Sequence, residues 1–112
     1  MFKLTQGDSG AWSETILYNF SSSGGNTPEA GVTLDSEGNL YGTTYDGNVA
    51  EEVLGTVFEL APNGTLTTLW NFDGPDGELP NSNLLRDSAG NLYGISFEGG
   101  VSDHGTVYEV TP

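Results

Sequence analysis

Few residues of this chain are equipped for chemistry. His104 is the single histidine and there is no cysteine, so a nucleophile relay would have to be built around one imidazole, beside a serine and an acid that no nucleophile-elbow motif marks. Catalysis needs convergent partners, and His104 reads instead as a surface residue. The carboxylates are the next candidates. Asp73, Asp76 and Glu78 crowd the run Asp73-Gly74-Pro75-Asp76-Gly77-Glu78, and Asp46 precedes Glu51 and Glu52. Calcium is the one cofactor such runs leave open, since it is held by several oxygens; neither run has EF-hand spacing, and a solvated acidic loop explains the same residues. Trp12, Tyr45 and Phe97 are the aromatic candidates for contact with a sugar or a protein. Trp12 lies in a longer hairpin that has no counterpart elsewhere in the chain, and packing at the rim of that hairpin is its plainer explanation. Asn19-Phe20-Ser21 and Asn63-Gly64-Thr65 fit glycosylation acceptors, which matter only in a eukaryotic secretory pathway.

The elements that would position these residues are set by an internal repeat. Asp35-Ser36-Glu37-Gly38-Asn39-Leu40-Tyr41-Gly42 returns, nearly unchanged, as Asp87-Ser88-Ala89-Gly90-Asn91-Leu92-Tyr93-Gly94, an offset of 52 residues. Asp35, Gly38 and Asn39, with Asp87, Gly90 and Asn91, have the chemistry of a tight turn: the aspartate accepts bonds from nearby backbone amides and the glycine takes the left-handed conformation. Asp35 and Asp87 occupy equivalent places and are therefore turn-formers rather than a catalytic carboxylate pair. Around each turn lie two strands, Val32-Thr33-Leu34 with Leu40 to Tyr45, and Leu84-Leu85-Arg86 with Leu92 to Phe97. A further strand appears three times, as Phe2-Lys3-Leu4, Phe58-Glu59-Leu60 and Tyr108-Glu109-Val110, with apolar and polar residues alternating. The last strand of each unit ends in Leu17-Tyr18-Asn19-Phe20 or Leu69-Trp70-Asn71-Phe72. The Gly- and Pro-rich segments Ser21 to Pro28 and Asp73 to Pro80 read as loops. Nine short strands result, with no helical periodicity. Val57, Phe58, Leu60, Leu69, Trp70, Phe72, Leu84, Leu92 and Tyr93 are the expected core.

Composition narrows the partners. Sixteen acidic residues face only Lys3 and Arg86, a formal net charge of −14, which repels nucleic acid and anionic lipid. No apolar run is long enough for a membrane span, and the amino-terminal residues show no signal-peptide core.

The segments Gly55 to Leu60 and Asp35 to Thr44, with their second copies Gly105 to Val110 and Asp87 to Ser96, resemble the GloVer-type (Gloeobacter/Verrucomicrobia) tandem repeat of bacterial extracellular proteins. Ile95-Ser96 departs from the Thr-Thr of that signature. The resemblance implies an extracellular or cell-surface location and a β-propeller-like array without established chemistry. The reading is thus an all-β, β-propeller-like array of four-stranded antiparallel blades in a single domain over residues 1–112: one repeat over about 1–54, a second over about 55–104, and an extra strand over 105–112. The expected role is a structural or interaction module with no catalytic residue, whose partners are copies of itself or neighbouring repeats, in a ring or a filament. A glycan-binding module is the alternative, and a fragment of a propeller hydrolase a weaker one.

Overall fold

The computed structural model describes residues 1–21, 25–47 and 52–111. Among them are ten strands and no helix: β1 (Phe2–Gln6), β2 (Trp12–Ile16), β3 (Thr33–Leu34), β4 (Leu40–Thr44), β5 (Thr56–Leu60), β6 (Leu66–Asn71), β7 (Glu78–Pro80), β8 (Leu85–Arg86), β9 (Leu92–Glu98) and β10 (Val107–Val110). All pair antiparallel. β3-β4-β5-β6 form one four-stranded sheet in chain order, β1 and β2 form a separate hairpin, and in the third sheet β9 carries β10 on one edge and both β8 and β7 on the other. The third sheet thus repeats the first, except that no strand among the described residues takes the place of β6.

Local chemistry explains the strand ends. Between β5 and β6 the Pro62-Asn63-Gly64 turn closes with Gly64 at φ +87° and the Asn63 side chain accepting from the Thr65 amide at 2.9 Å. Gly42 and Gly94 are needed for a different reason. A Cβ at Gly42 would lie 2.8 Å from the ring of Phe58, and one at Gly94 would lie 2.4 Å from the Tyr108 hydroxyl, so each glycine is the floor on which the cross-strand aromatic rests.

One face of the first sheet packs on one face of the third. Tyr41, Val57, Phe72, Leu84 and Leu92 form this core, flanked by Leu69, Tyr108 and Val110. Polar contacts join the same two sheets: the Gly31 amide donates to the Asn83 side chain at 2.8 Å, and the Thr33 hydroxyl donates to the Leu84 carbonyl. The hairpin is attached to the opposite face of the first sheet by edge-to-face aromatic contacts, Tyr18 to Phe20 at 5.1 Å and Phe20 to Phe58 at 5.3 Å. Phe72 meets Tyr108 in the same way at 4.9 Å. Phe20 and Phe72 are repeat equivalents, as are Phe58 and Tyr108, so hairpin, first sheet and third sheet follow one another by the same packing step.

Several expectations are corrected. The strand expected to end at Leu17-Tyr18-Asn19-Phe20 stops at Ile16, because Leu17 and Tyr18 turn back to the Met1 carbonyl. Trp12 opens β2, opposite Gln6. The segment Asp73 to Pro80 ends in the strand β7, raising the count from nine to ten. The first repeat has its counterpart in the Asn26–Asp46 bridge, and Thr27 (φ +57°) and Leu79 (φ +53°) share an unusual left-handed backbone there. Of the expected core, Trp70 is 48% exposed, since it stands at the rim of β6, and Tyr93 is only half-buried. Tyr41, its equivalent, is buried because the third sheet covers it.

Candidate functional site

The two Asp turns are the most highly organised polar constructions in the chain. Asp35 Oδ1 accepts from the Glu37 and Asn39 amides, both at 2.9 Å, while Oδ2 accepts from the Asn39 side chain at 3.0 Å and the Tyr41 hydroxyl at 3.1 Å. Asp87 repeats all four bonds, with Ala89, Asn91 and Tyr93. Gly38 and Gly90 take φ +91° and +96° between them. The hydrogen bond from the Asn39 side chain is the chief reason that the Asp35 carboxyl is held down to about 2, and Asn91 lowers Asp87 in the same manner. These aspartates are consumed by structure. Tyr41 and Tyr93 belong to the motif through their hydroxyls, a role unforeseen from sequence although the constant spacing Asp-x-x-x-Asn-x-Tyr carried its signal.

The two turns differ in their surroundings. The Arg86 guanidinium lies 4.0 Å from Asp35 Oδ2 and 5.4 Å from the centre of the Tyr41 ring, so the first turn has a cation. The second has an extra anion: the Tyr93 hydroxyl stands 3.2 Å from Asp87 Oδ2 and 3.0 Å from Glu109 Oε1. One phenolic proton cannot serve both carboxylates.

A repeated hydroxyl pair lies under each glycine that precedes the left-handed residue. Thr44 and Thr56 hydroxyls meet at 2.7 Å beneath Gly25, and Ser96 and Thr106 at 3.0 Å beneath Gly77. Ser96 thus keeps the function of the signature threonine. Among the described residues, two buried hydroxyls have no hydrogen-bond partner: Thr43 Oγ1 and Tyr108 Oη. Burial pushes the Tyr108 phenol up to about 12; the Ser82 hydroxyl opposes this, but it is engaged by the Ile95 amide at 3.0 Å and the Ile95 carbonyl at 3.4 Å and makes no hydrogen bond of normal geometry with the phenol.

The remaining candidates are dispersed. His104 is exposed and its Nδ1 meets only the Asp103 carbonyl, at 2.8 Å. Asp76 accepts from Trp70 Nε1 at 2.6 Å and from the Asp73 amide at 3.1 Å, while Glu78 lies in β7 opposite Glu98. Among the described residues no three His, Cys, Asp or Glu side chains are grouped to hold a metal ion. Asp46 accepts from the Thr27 hydroxyl at 3.1 Å; Glu51 lies outside the described residues. Trp12 is in the hairpin, Tyr45 follows β4 and Phe97 is in β9, so each belongs to a different sheet.

What the fold does gather is apolar surface. Between the hairpin and the face of the first sheet turned away from the third runs a cleft of about 750 Å³, whose apolar walls include Phe2, Ile16, Val32, Leu34, Leu40 and Leu60. Val32, Leu40 and Leu60 are the equivalents of Leu84, Leu92 and Val110, which in the third sheet pack with Tyr41. The open face of the third sheet shows the complementary set, with Leu85, Ile95, Phe97 and Val107 exposed.

The Gloeobacter/Verrucomicrobia repeat profile matches residues 1–112. The chain belongs to that repeat family. No curated protein matches it. Within the matched residues, the four-stranded sheet β3-β4-β5-β6 is antiparallel, with the Asp35 turn between β3 and β4 and the Asn63-Gly64 turn between β5 and β6. No helix among the described residues is long and apolar enough to cross a membrane.

Proposed function

We propose that the chain is a non-catalytic, extracellular interaction module of β-propeller type, which buries the faces of its sheets against further units of the same repeat, in other copies of the chain or in neighbouring repeats. One comparison carries this reading: Val57 is 0% exposed and its repeat equivalent Val107 is 82% exposed. The same sheet position is core where a following sheet covers it and bare surface where none does. Burial of apolar surface stabilises by about 25 cal/mol per Å², so a sheet open on such a face gains by acquiring a neighbour. The packing step shared by hairpin, first sheet and third sheet supports the propeller reading, in which successive blades each set a face on the next. Sedimentation equilibrium over a range of concentrations tests the reading. Reversible association is the expected result, and a monodisperse monomer at every concentration would overturn it.

A further inference from the structure

Resting on that reading of self-association, we infer that the contact between copies is a strand exchange: the β1–β2 hairpin of one copy displaces β10 from the edge of β9 in another, giving the sheet β8-β9-β1-β2.

The repeat supplies the register. β1 and β10 are both versions of β5, and β9 is the version of β4. In the complete sheet Gly42 opposes Phe58, Tyr41 opposes Glu59 and Leu40 opposes Leu60. In the third sheet Gly94 opposes Tyr108, Tyr93 opposes Glu109 and Leu92 opposes Val110. Placed in the same register on a second copy, Phe2 falls on Gly94, Lys3 on Tyr93 and Leu4 on Leu92. The exchange also brings in β2, which fills the place of β6 that the third sheet lacks.

Two defects of the present pairing disappear. The seat over Gly94 holds Tyr108, whose hydroxyl is buried without a partner, whereas the seat over Gly42 holds the hydroxyl-free Phe58. Phe2 would restore the phenylalanine. A buried polar group without a partner is destabilising, and its removal favours the exchanged pairing. At the neighbouring position Glu109 brings a second carboxylate onto the Tyr93 hydroxyl already bonded to Asp87. Lys3 would replace that anion with a cation. The chain has only two basic residues; Arg86 already sits beside the Asp35 turn, while Lys3 is exposed and makes no ion pair among the described residues. The exchange gives the Asp87 turn the cation that the Asp35 turn has. At the third position Leu4 replaces Val110, as Leu60 does in the complete sheet.

The exchange must occur between copies. Phe20 fixes the hairpin to the Phe58 side of the first sheet, and β9 lies on the other side, where Leu84 and Leu92 meet Tyr41. Once β8 and β9 stand beside β1 of a second copy, Tyr93 faces the cleft lined by Val32, Leu40 and Leu60, as Tyr41 faces Leu84, Leu92 and Val110.

The test is amide hydrogen exchange on the full chain at low and high protein concentration, together with sedimentation of three variants. As copies associate, the segment Val107–Val110 should lose protection while Phe2–Gln6 gains it. Tyr108→Phe combined with Glu109→Lys repairs both defects of β10 in place and should weaken association by about tenfold or more, the range set by one buried unpaired group. Lys3→Glu should also weaken it, and Lys3→Arg should not. The substituted side chains at positions 3 and 109 are exposed, so folding is retained. Association with β10 protected as well or better, or unmoved by all variants, would overturn the exchange and leave self-association standing. Absence of association would overturn both.

Discussion

Asp35 shows at the scale of one residue how a repeat signature is held in place. Its four hydrogen bonds all favour the ionised carboxylate, so its folded-state value, about 2, lies below that of the unfolded chain. A depressed value contributes stability that is fully present above the unfolded value and is lost as pH falls through the folded one. Asp35→Asn should therefore lower the thermal midpoint at pH 6, and the gap from the unsubstituted chain should shrink between about pH 4 and pH 2, where the carboxylate is protonated in any case. Thermal unfolding of both proteins across that range checks it; a gap independent of pH would show that the turn does not depend on charge. Thr43 offers the opposite case. Its hydroxyl is buried without a partner, and repeat two carries Ile95 at the same place. Thr43→Val keeps the shape and removes the unsatisfied group, so it should stabilise by about 1 kcal/mol in denaturant unfolding.

At the scale of elements, the pairing of β4 with β5 depends on absence of a side chain. A methyl at Gly42 would come 2.8 Å from the Phe58 ring, which is buried and has no room to withdraw, and 3.2 Å from Val32 Cγ1, which borders the open cleft and can yield. Gly42→Ala should cost about 1–3 kcal/mol, the usual range for an overfilled core. Gly64→Ala is the contrast, because no heavy atom lies within 4 Å of its added methyl and only the left-handed backbone resists it. Its cost should be about 1 kcal/mol, measured in the same unfolding experiment. A larger effect at Gly64 than at Gly42 would refute the account of the aromatic floor. The strands were legible from alternation in Phe58-Glu59-Leu60 and from the paired turn signals. β7 was not, since Glu78-Leu79-Pro80 has no alternation and a proline, and it exists only because the edge of β9 is there to receive it.

For the whole molecule, long-range charge opposes the apolar faces. Copies carrying −14 repel one another, and the screening length falls from roughly 30 Å at about 0.01 M salt to roughly 3 Å at about 1 M. Self-association should therefore strengthen as salt rises, read as an increase in weight-average mass by light scattering at two salt concentrations. If the contact were dominated by attraction between Lys3 and Asp87, salt would weaken it instead, so the direction of the change separates net repulsion from local pairing.

The sequence alone determined the period of the repeat, the Asp turns, the all-β class and the absence of cysteine chemistry, because these depend on neighbours a few residues apart, where turn geometry and strand alternation are decided. Only the tertiary structure decided which equivalent positions are core. Tyr41 and Tyr93, or Val57 and Val107, have the same local sequence and different burial, since burial is set by whether another sheet lies above. The structure likewise decided that Arg86 reaches the Asp35 turn, that Trp70 stands at a rim rather than inside, and that Asp73, Asp76 and Glu78 do not converge: each outcome depends on how one sheet is set against the next, which no spacing along the chain encodes.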